Sequence, residues 1–167
     1  MISSIAAASD SVDNGRMDSN VELALRLVAA TLIGASIGLN RDLHGKPTGV
    51  RTMGLVGLAS AVIVVASGLV GGTGDATRAV QGIVTGIGFL GAGVIVKEAG
   101  TDRIRGLTTA ATIWLTAALG VTCGLGHWVL ALLAATLGLI VLVIGGPIEK
   151  WLHHRYPQKP DPPEALP

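Results

Sequence analysis

Five apolar segments, each close to the length of a membrane-spanning helix, occupy most of this chain of 167 residues. A helix needs about 20 mostly apolar residues to cross the hydrocarbon core of a bilayer. Half of the residues are hydrophobic and 14% are charged, which is more apolar than a soluble domain of this length requires. The sequence therefore predicts an all-α, polytopic membrane bundle with five transmembrane helices, at about 22–39, 53–72, 79–96, 107–123 and 127–146.

Lysine and arginine alternate between the connections on the two sides of these segments. The connections at 40–52 and 97–106 and the C-terminal tail together hold nine of them, whereas the other side holds only Arg16 and Arg78. Positive residues concentrate on the cytoplasmic side of membrane proteins. The pattern predicts an N-terminus outside and a C-terminus inside, in a multi-pass membrane protein.

The spans divide the chain into three parts. Residues 1–21 are predicted to be a polar external tail, since they lack the basic start and apolar core of a cleaved signal peptide. Residues 22–148 form the membrane domain. Residues 149–167 are a basic and then proline-rich cytoplasmic tail, expected to be disordered beyond Tyr156.

Small residues recur at helical spacing in the first and third spans. Helices in lipid associate largely through small residues that let their backbones approach closely. Two opposite glycine faces predict that the third span lies in the middle of the bundle, although a genome rich in Gly and Ala codons is an alternative source of the pattern. The predicted packing glycines are Gly34, Gly38, Gly82, Gly86, Gly88, Gly91 and Gly93.

A polar stripe marks the fourth span and the residue before it. Five side chains fall within about 100° of arc on a helical wheel and lead inward from a predicted cytoplasmic arginine. Two interpretations remain open: the stripe lines a polar crevice, or each threonine bonds back to its own helix backbone. The residues are Arg105, Thr108, Thr109, Thr112 and Thr116.

Charged residues near the span ends have structural and functional interpretations. Glu22 and Arg26 are four residues apart and are expected to pair. Asp75, near Arg78 and Gln81, either caps the third helix or belongs to an ion site. The cations around the first connection either hold anionic lipid headgroups or enforce topology. The candidate polar residues in that connection are Asn40, Arg41, Lys46 and Arg51.

Several kinds of chemistry have no matching pattern in the sequence. The second to fifth spans lack Asp, Glu, Lys and Arg in their cores, whereas proton relays and ion paths usually contain such residues. No histidine or cysteine spacing matches a metal site, and Asp75 is the one residue kept as a cation candidate. We expect no enzyme, no cofactor and no nucleic-acid partner.

Motifs in two long stretches closely resemble the MgtC/SapB family of bacterial inner-membrane proteins. They are the Lys46-Pro47 to Arg51-Thr52 connection, the Asp75/Arg78 pair, GFLGAG at 88–93 and RGLTTAATIW at 105–114. The resemblance covers roughly residues 22–146. It departs from the family at Asn40, where a Glu is common before the Arg. Many members also have a soluble C-terminal domain, and we expect none after the fifth span of this chain.

The resemblance implies a function in the membrane. Family members are linked to growth in low magnesium and to survival inside macrophages, hence to magnesium homeostasis and virulence. The best-known member is associated with inhibition of the F-type ATP synthase through its membrane subunit. The leading expectation is therefore a regulatory or accessory membrane protein that contacts lipid, a second copy of itself and other membrane proteins such as the ATP synthase.

Two other classes of function remain open. A transporter for Mg²⁺ or another small solute would use Asp75, Arg78 and the threonine stripe, with a pore formed in an oligomer. A lipid-organising protein would use the basic connection on anionic headgroups. The small-residue faces predict a homodimer or higher homo-oligomer under each alternative.

Overall fold

A computed structural model of the chain consists of five α-helices and a short β-hairpin. It describes the backbone of residues 2–70, 73–97 and 104–155, and the side chains in these ranges from Ser19 onward, except at positions 73, 150, 153 and 154. The helices are α1 (Ile2–Leu43), α2 (Val50–Val70), α3 (Thr73–Gly93), α4 (Leu107–Gly124) and α5 (Trp128–Arg155). The predicted helical bundle is confirmed. The prediction of disorder beyond Tyr156 lies outside the described residues.

Four of the five helices are long and apolar enough to cross a membrane. These segments are Ser19–Leu43, Val50–Val70, Leu107–Gly124 and Trp128–Glu149. Helix α3 also has 21 residues, about 30 Å of rise, but it is not among the four apolar spans found in the described part of the chain. Whether α3 crosses the bilayer, and the orientation of the whole bundle, remain sequence predictions.

Helices α1, α2 and α4 form the tightly packed centre of the bundle. A Cβ on Gly34 of α1 would overlap the carbonyl oxygen of Met53, and one on Gly57 of α2 would overlap that of Ala30. A Cβ on Gly120 of α4 would overlap the Gly57 carbonyl oxygen in the same way. Backbones at such short range make dispersion contacts and Cα–H···O contacts that a larger residue would prevent. Small residues therefore determine how these three helices pack.

The helix at the centre is α4, so the prediction that the third span occupies the middle is wrong. Helix α4 packs against each of the other four helices and is the most buried of the four apolar spans. Helix α3 packs against α4 and α2 through Ile83 and Ile87. The physical reason is that the buried hydrophobic side chains of α3 are only Ile83 and Ile87 among its described residues, whereas α4 has nine buried residues, most of them small or polar.

A β-hairpin, which the sequence analysis did not predict, follows α3. Val96 pairs with Arg105 and Lys97 with Ile104 in an antiparallel ladder. Gly106 then turns the chain into α4 with φ +94°, and a Cβ there would overlap the Val94 carbonyl. Only glycine adopts this conformation without strain. The hairpin therefore fixes where α4 begins.

Helix α5 extends beyond the predicted fifth span. It continues through Pro147 to Arg155, so the tail predicted from residue 149 is helical up to that point. Residues 149–155 include good helix formers, and the Arg155 guanidinium lies 6.0 Å from the Trp151 ring centroid, one helical turn away. The next proline, Pro157, follows only two residues later.

Candidate functional site

A cleft of about 740 Å³ opens where α1 ends, α4 begins and α5 passes alongside. Its polar wall comes from the last turn of α1 and the following connection, with Thr108 from α4 and Glu149 from α5. Its apolar wall is the 141–143 segment of α5, and Gly145, Gly146 and Pro147 complete the lining. The remaining polar lining residues are Asn40, Arg41, His44 and Lys46.

Arg41 is the buried charge of this cleft. The sequence analysis places it in a connection, but it belongs to the last turn of α1 and is only 4% exposed. Its Nη2 donates a hydrogen bond to the hydroxyl of Thr109 on α4. Among the described residues its Nε has no hydrogen-bond partner. Burying a charge is costly unless it is paired, so this guanidinium is an incompletely satisfied group.

The connection after Arg41 is held in one shape by backbone and side-chain bonds. The Arg41 carbonyl accepts hydrogen bonds from the backbone N–H groups of His44 (3.1 Å) and Lys46 (3.0 Å). The Asp42 carboxylate accepts one from the Val50 N–H, at 2.9 Å, and so satisfies a free donor at the start of α2. Asp42 therefore has a structural role, while Lys46 is held at the mouth of the cleft.

The α5 wall has an interrupted helix at the level of the cleft. Pro147 has no N–H, so the carbonyl of Val143 does not receive the usual hydrogen bond from four residues later. Gly145 and Gly146 precede it, and a Cβ at either position would meet open space. Because of these features, backbone atoms of α5 are accessible on this wall, and there is open space beside them.

The structure brings together five of the predicted polar residues and resolves the two interpretations of the threonine stripe. Asn40, Arg41, Lys46 and Thr108 line the cleft, and Thr109 holds Arg41. Deeper in α4, the Thr112 hydroxyl donates to the Thr108 carbonyl (2.6 Å) and the Thr116 hydroxyl to the Thr112 carbonyl (2.9 Å). The deeper threonines thus bond to their own helix, and Thr116 is fully buried.

The other predicted polar residues lie away from the cleft. Arg51 is exposed at the start of α2 and lines a separate hollow with Thr31 and Leu55. Arg105 is exposed on β2. At the other end of α2, about 30 Å away, Asp75 and Arg78 form an exposed pair in the first turn of α3, at 3.5 Å. Gln81 is exposed on the same helix.

The Asp75 carboxylate lies in the first turn of α3, where a negative charge interacts favourably with the positive end of the helix dipole. At the same end of the bundle the predicted Glu22–Arg26 pair is confirmed, at 2.9 Å. Arg26 also donates to the Gly124 carbonyl at the end of α4 (3.1 Å). Within the described segments, no group of three or more His, Cys, Asp or Glu side chains is placed to hold a metal ion.

The predicted packing glycines fall into two groups. Gly34 and Gly38 are buried against the α2 backbone. Gly91 lies beside α4: a Cβ added to Gly91 would be 3.7 Å from the Ala110 Cβ. A Cβ on any of the other four would meet no atom of the described chain within 4 Å; these are Gly82, Gly86, Gly88 and Gly93.

Several lining residues of the cleft were not among the residues predicted from the sequence. His44 lies one turn after the candidate Asn40, and its Nδ1 is 2.7 Å from the Asn40 carbonyl. Gly145-Gly146-Pro147 is a visible interruption in an apolar helix and signals an irregular backbone. Glu149 and the apolar wall had no local signal, because they reach the cleft only through the packing of α5.

Comparison with known proteins identifies relatives of the chain. The model of the MgtC family matches residues 27–151. The chain is 45% identical to Protein SrpB of Synechococcus elongatus, over 72% of this chain and 72% of SrpB. It is 49% identical to Protein MgtC of Brucella abortus over 60% of this chain, and 43% identical to Protein MgtC of Salmonella typhimurium over 72%.

The shared region is only part of some relatives. It covers 41% of the Brucella abortus protein and 51% of the Salmonella typhimurium protein. The match therefore concerns the membrane helices, and about half of those relatives' length lies outside it. No solved structure matches the chain.

Proposed function

The chain belongs to the MgtC family of membrane proteins, and on that premise we propose that it is a regulatory protein of the bacterial inner membrane. It would act by contacting other membrane proteins through its helices rather than by chemistry of its own. The finer role that family resemblance suggests is adaptation to low magnesium and to life inside host cells. The proposed partner is the membrane part of the F-type ATP synthase.

The observation that supports this proposal is the outward face of α3. Gly82, Gly86 and Gly93 lie on one helical face, about 100° around the helix from the buried Ile83 and Ile87. Phe89 projects from the same face and is 82% exposed. Glycines flanking an exposed aromatic ring leave a shallow groove in which another helix can approach the backbone closely.

The face suits a helix from either a second copy or a different protein. Closed two-fold symmetry is the commonest arrangement of homo-oligomers, so a homodimer through α3 is the simplest self-association. In that case the dimer would be the species that contacts the partner. If a different protein occupies the face, the chain would be monomeric until that partner binds.

The test replaces Gly86 with Leu, at a position where an added Cβ meets no described atom within 4 Å. The tagged protein is solubilised in mild detergent, and its association with itself and with ATP synthase membrane subunits is measured by cross-linking and co-purification. We expect both signals to fall for Gly86→Leu if they use this face. The control is Gly68→Leu on α2, a position equally open in the structure.

Equal association of the wild type and Gly86→Leu would contradict a role for the α3 face. Loss of association in Gly68→Leu as well would mean that any bulky residue on the lipid-facing surface interferes, and that the glycine face is not special. Membrane insertion of each variant, measured by cell fractionation, shows that the change concerns association.

The alternative of Mg²⁺ transport has less geometric support. Its proposed path would join the outer Asp75 to the threonine stripe, but Thr112 and Thr116 are buried and bonded to their own helix. Proteoliposome flux of Mg²⁺ with an Asp75→Asn control separates the two functions. Uptake that is lost in Asp75→Asn would replace the regulatory proposal with a transport function.

A further inference from the structure

Arg41 is a buried cation that lacks a counter-ion in the described part of the chain. It is 96% buried, and its side chain makes one hydrogen bond there, to the Thr109 hydroxyl. A guanidinium has five N–H donors and prefers planar, two-pronged acceptors such as carboxylates and phosphates. A neutral hydroxyl satisfies one donor and supplies no negative charge. The site is therefore incomplete without an anion.

The charges around the cleft fit an anion with a single negative charge. Arg41 and Lys46 are cationic, His44 adds a nitrogen, and Glu149 contributes the single carboxylate among the described lining residues. Glu149 already has an interaction partner. Two permanent cations against one carboxylate leave a net charge of about +1 at neutral pH. This balance matches a phosphate diester better than a doubly charged phosphate monoester.

The apolar wall indicates what is attached to that anion. Val141, Leu142 and Val143 form one side of the cleft, and α5 turns many large apolar side chains outward along its length. The cleft lies at the ends of the apolar spans, which is the depth at which phospholipid headgroups meet acyl chains. The Val143 carbonyl, freed by Pro147, can accept a hydrogen bond from a headgroup hydroxyl.

We infer that this cleft binds one phospholipid by its phosphate diester, with the phosphate on Arg41 and Lys46 and the acyl chains along α5. The phosphate supplies the negative charge that Arg41 lacks in the described part of the chain. The rest of the lipid fills the space between α5 and α1. Helix α5 is then bound to the rest of the bundle partly through lipid. This inference is independent of the partner that the α3 face contacts.

The test measures lipid retention by the intact chain with native mass spectrometry. Protein is purified in mild detergent, stripped of lipid and titrated with phosphatidylglycerol. We expect one molecule to bind more tightly than the rest, and Arg41→Gln to weaken that event about tenfold or more, which is about 1.4 kcal/mol. Lys46→Gln should weaken it about two- to fivefold, as for an exposed charge.

Two further variants keep the result interpretable. Gly145→Leu narrows the cleft without changing its charge and should also remove the tight event, so the inference does not depend on whether Arg41→Gln folds. Lys97→Gln removes an exposed cation outside the cleft and should leave the tight event unchanged. Thermal unfolding in detergent verifies that each variant is folded.

Competition identifies the source of the phosphate. If the inference is right, inorganic phosphate at millimolar concentration does not displace the tightly bound phosphatidylglycerol. Displacement by inorganic phosphate would assign the cleft to a free anion and overturn the lipid assignment. Retention that is equal in wild type, Gly145→Leu and Lys46→Gln, or an equal loss in Lys97→Gln, would show that the cleft is not the site.

Discussion

Helices α1 and α3 contain similar small-residue patterns but use them differently. In α1, Ala30 and Gly34 are buried, and α2 approaches so closely that a Cβ on Gly34 would overlap the Met53 carbonyl. In α3, a Cβ on Gly82 or Gly86 would meet open space. Glycine spacing therefore predicts that a helix can be approached closely, but it does not identify what approaches it.

The difference between the two helices follows from their other residues and from their partners. Across from α1 lie Gly57 of α2 and Gly120 of α4, so the small residues are complementary on three helices. Helix α3 instead meets α2 and α4 through Ile83 and Ile87. Gly82, Gly86, Gly88 and Gly93 lie away from this contact, and a Cβ on any of them would meet no described atom within 4 Å.

The largest effect is expected for a bulky substitution in the α1 interface. Gly34→Leu forces a side chain into the Met53 backbone and the Thr116 methyl, which cannot move without separating α1 from its neighbours. We expect no stable monomer, only aggregate, on size-exclusion chromatography in detergent. Gly86→Leu, the matched change in α3, should elute like the wild type. Similar elution of both variants would remove the distinction between the helices.

A smaller and more measurable effect is expected for two glycines of α2. Gly57→Ala brings a Cβ into the Ala30 carbonyl and should lower the free energy of unfolding by about 1–3 kcal/mol, as overpacking does. At Gly54 the nearest atom to such a Cβ is 3.7 Å away, an ordinary contact, so Gly54→Ala should cost less than about 0.5 kcal/mol. Unfolding in a detergent–SDS titration measures both, and equal costs would contradict close backbone packing at Gly57.

Two threonines of α4 allow a similar comparison, between a hydrogen bond to another helix and a hydrogen bond within one helix. Thr109→Val removes the hydrogen-bond partner of the buried Arg41 and should cost about 1–3 kcal/mol. In Thr112→Val the lost hydroxyl had bonded only to its own helix, so a cost below about 0.5 kcal/mol is expected. Thermal unfolding in detergent compares them, and a larger loss for Thr112→Val would argue against the Arg41–Thr109 contact.

The smallest effect is expected on the open face of α3. Gly82→Ala and Gly86→Ala add a methyl group that touches no described atom, so the unfolding free energy should stay within about 0.5 kcal/mol of the wild type. The same SDS titration detects this. A loss of 1 kcal/mol or more would mean that the face is packed in the detergent-solubilised protein, and would point to a dimer already present there.

Much of the fold could be predicted from local sequence patterns. Segment length and apolarity placed all five helices, and the four-residue spacing of Glu22 and Arg26 predicted their ion pair. Features that depend on a turn of the chain or on contacts between distant residues were predicted less well. The hairpin at Val96–Lys97 and Ile104–Arg105 was missed, and α5 continued past the expected end of its span.

The candidate site was only half visible in the sequence. Arg41 and Lys46 were singled out by the concentration of cations in the first connection and Thr109 by the polar stripe of the fourth span, but no pattern joined α1 to α4. In the structure Asp75 pairs with Arg78 in the first turn of α3, whereas Thr112 and Thr116 bond to their own helix. Contacts between helices depend on complementary shapes, and these are not encoded in any single segment.

The sequence by itself determined that the chain is a bundle of apolar helices, because helix length and hydrophobicity are local properties that a bilayer selects directly. It also determined which helix faces permit close approach. Only the tertiary structure decided that α4 is central, that Gly82, Gly86, Gly88 and Gly93 of α3 face outward, and that Arg41 is buried beside α5. Those outcomes depend on which small and large surfaces fit together across three or more helices, and such fits exist only after the chain has folded.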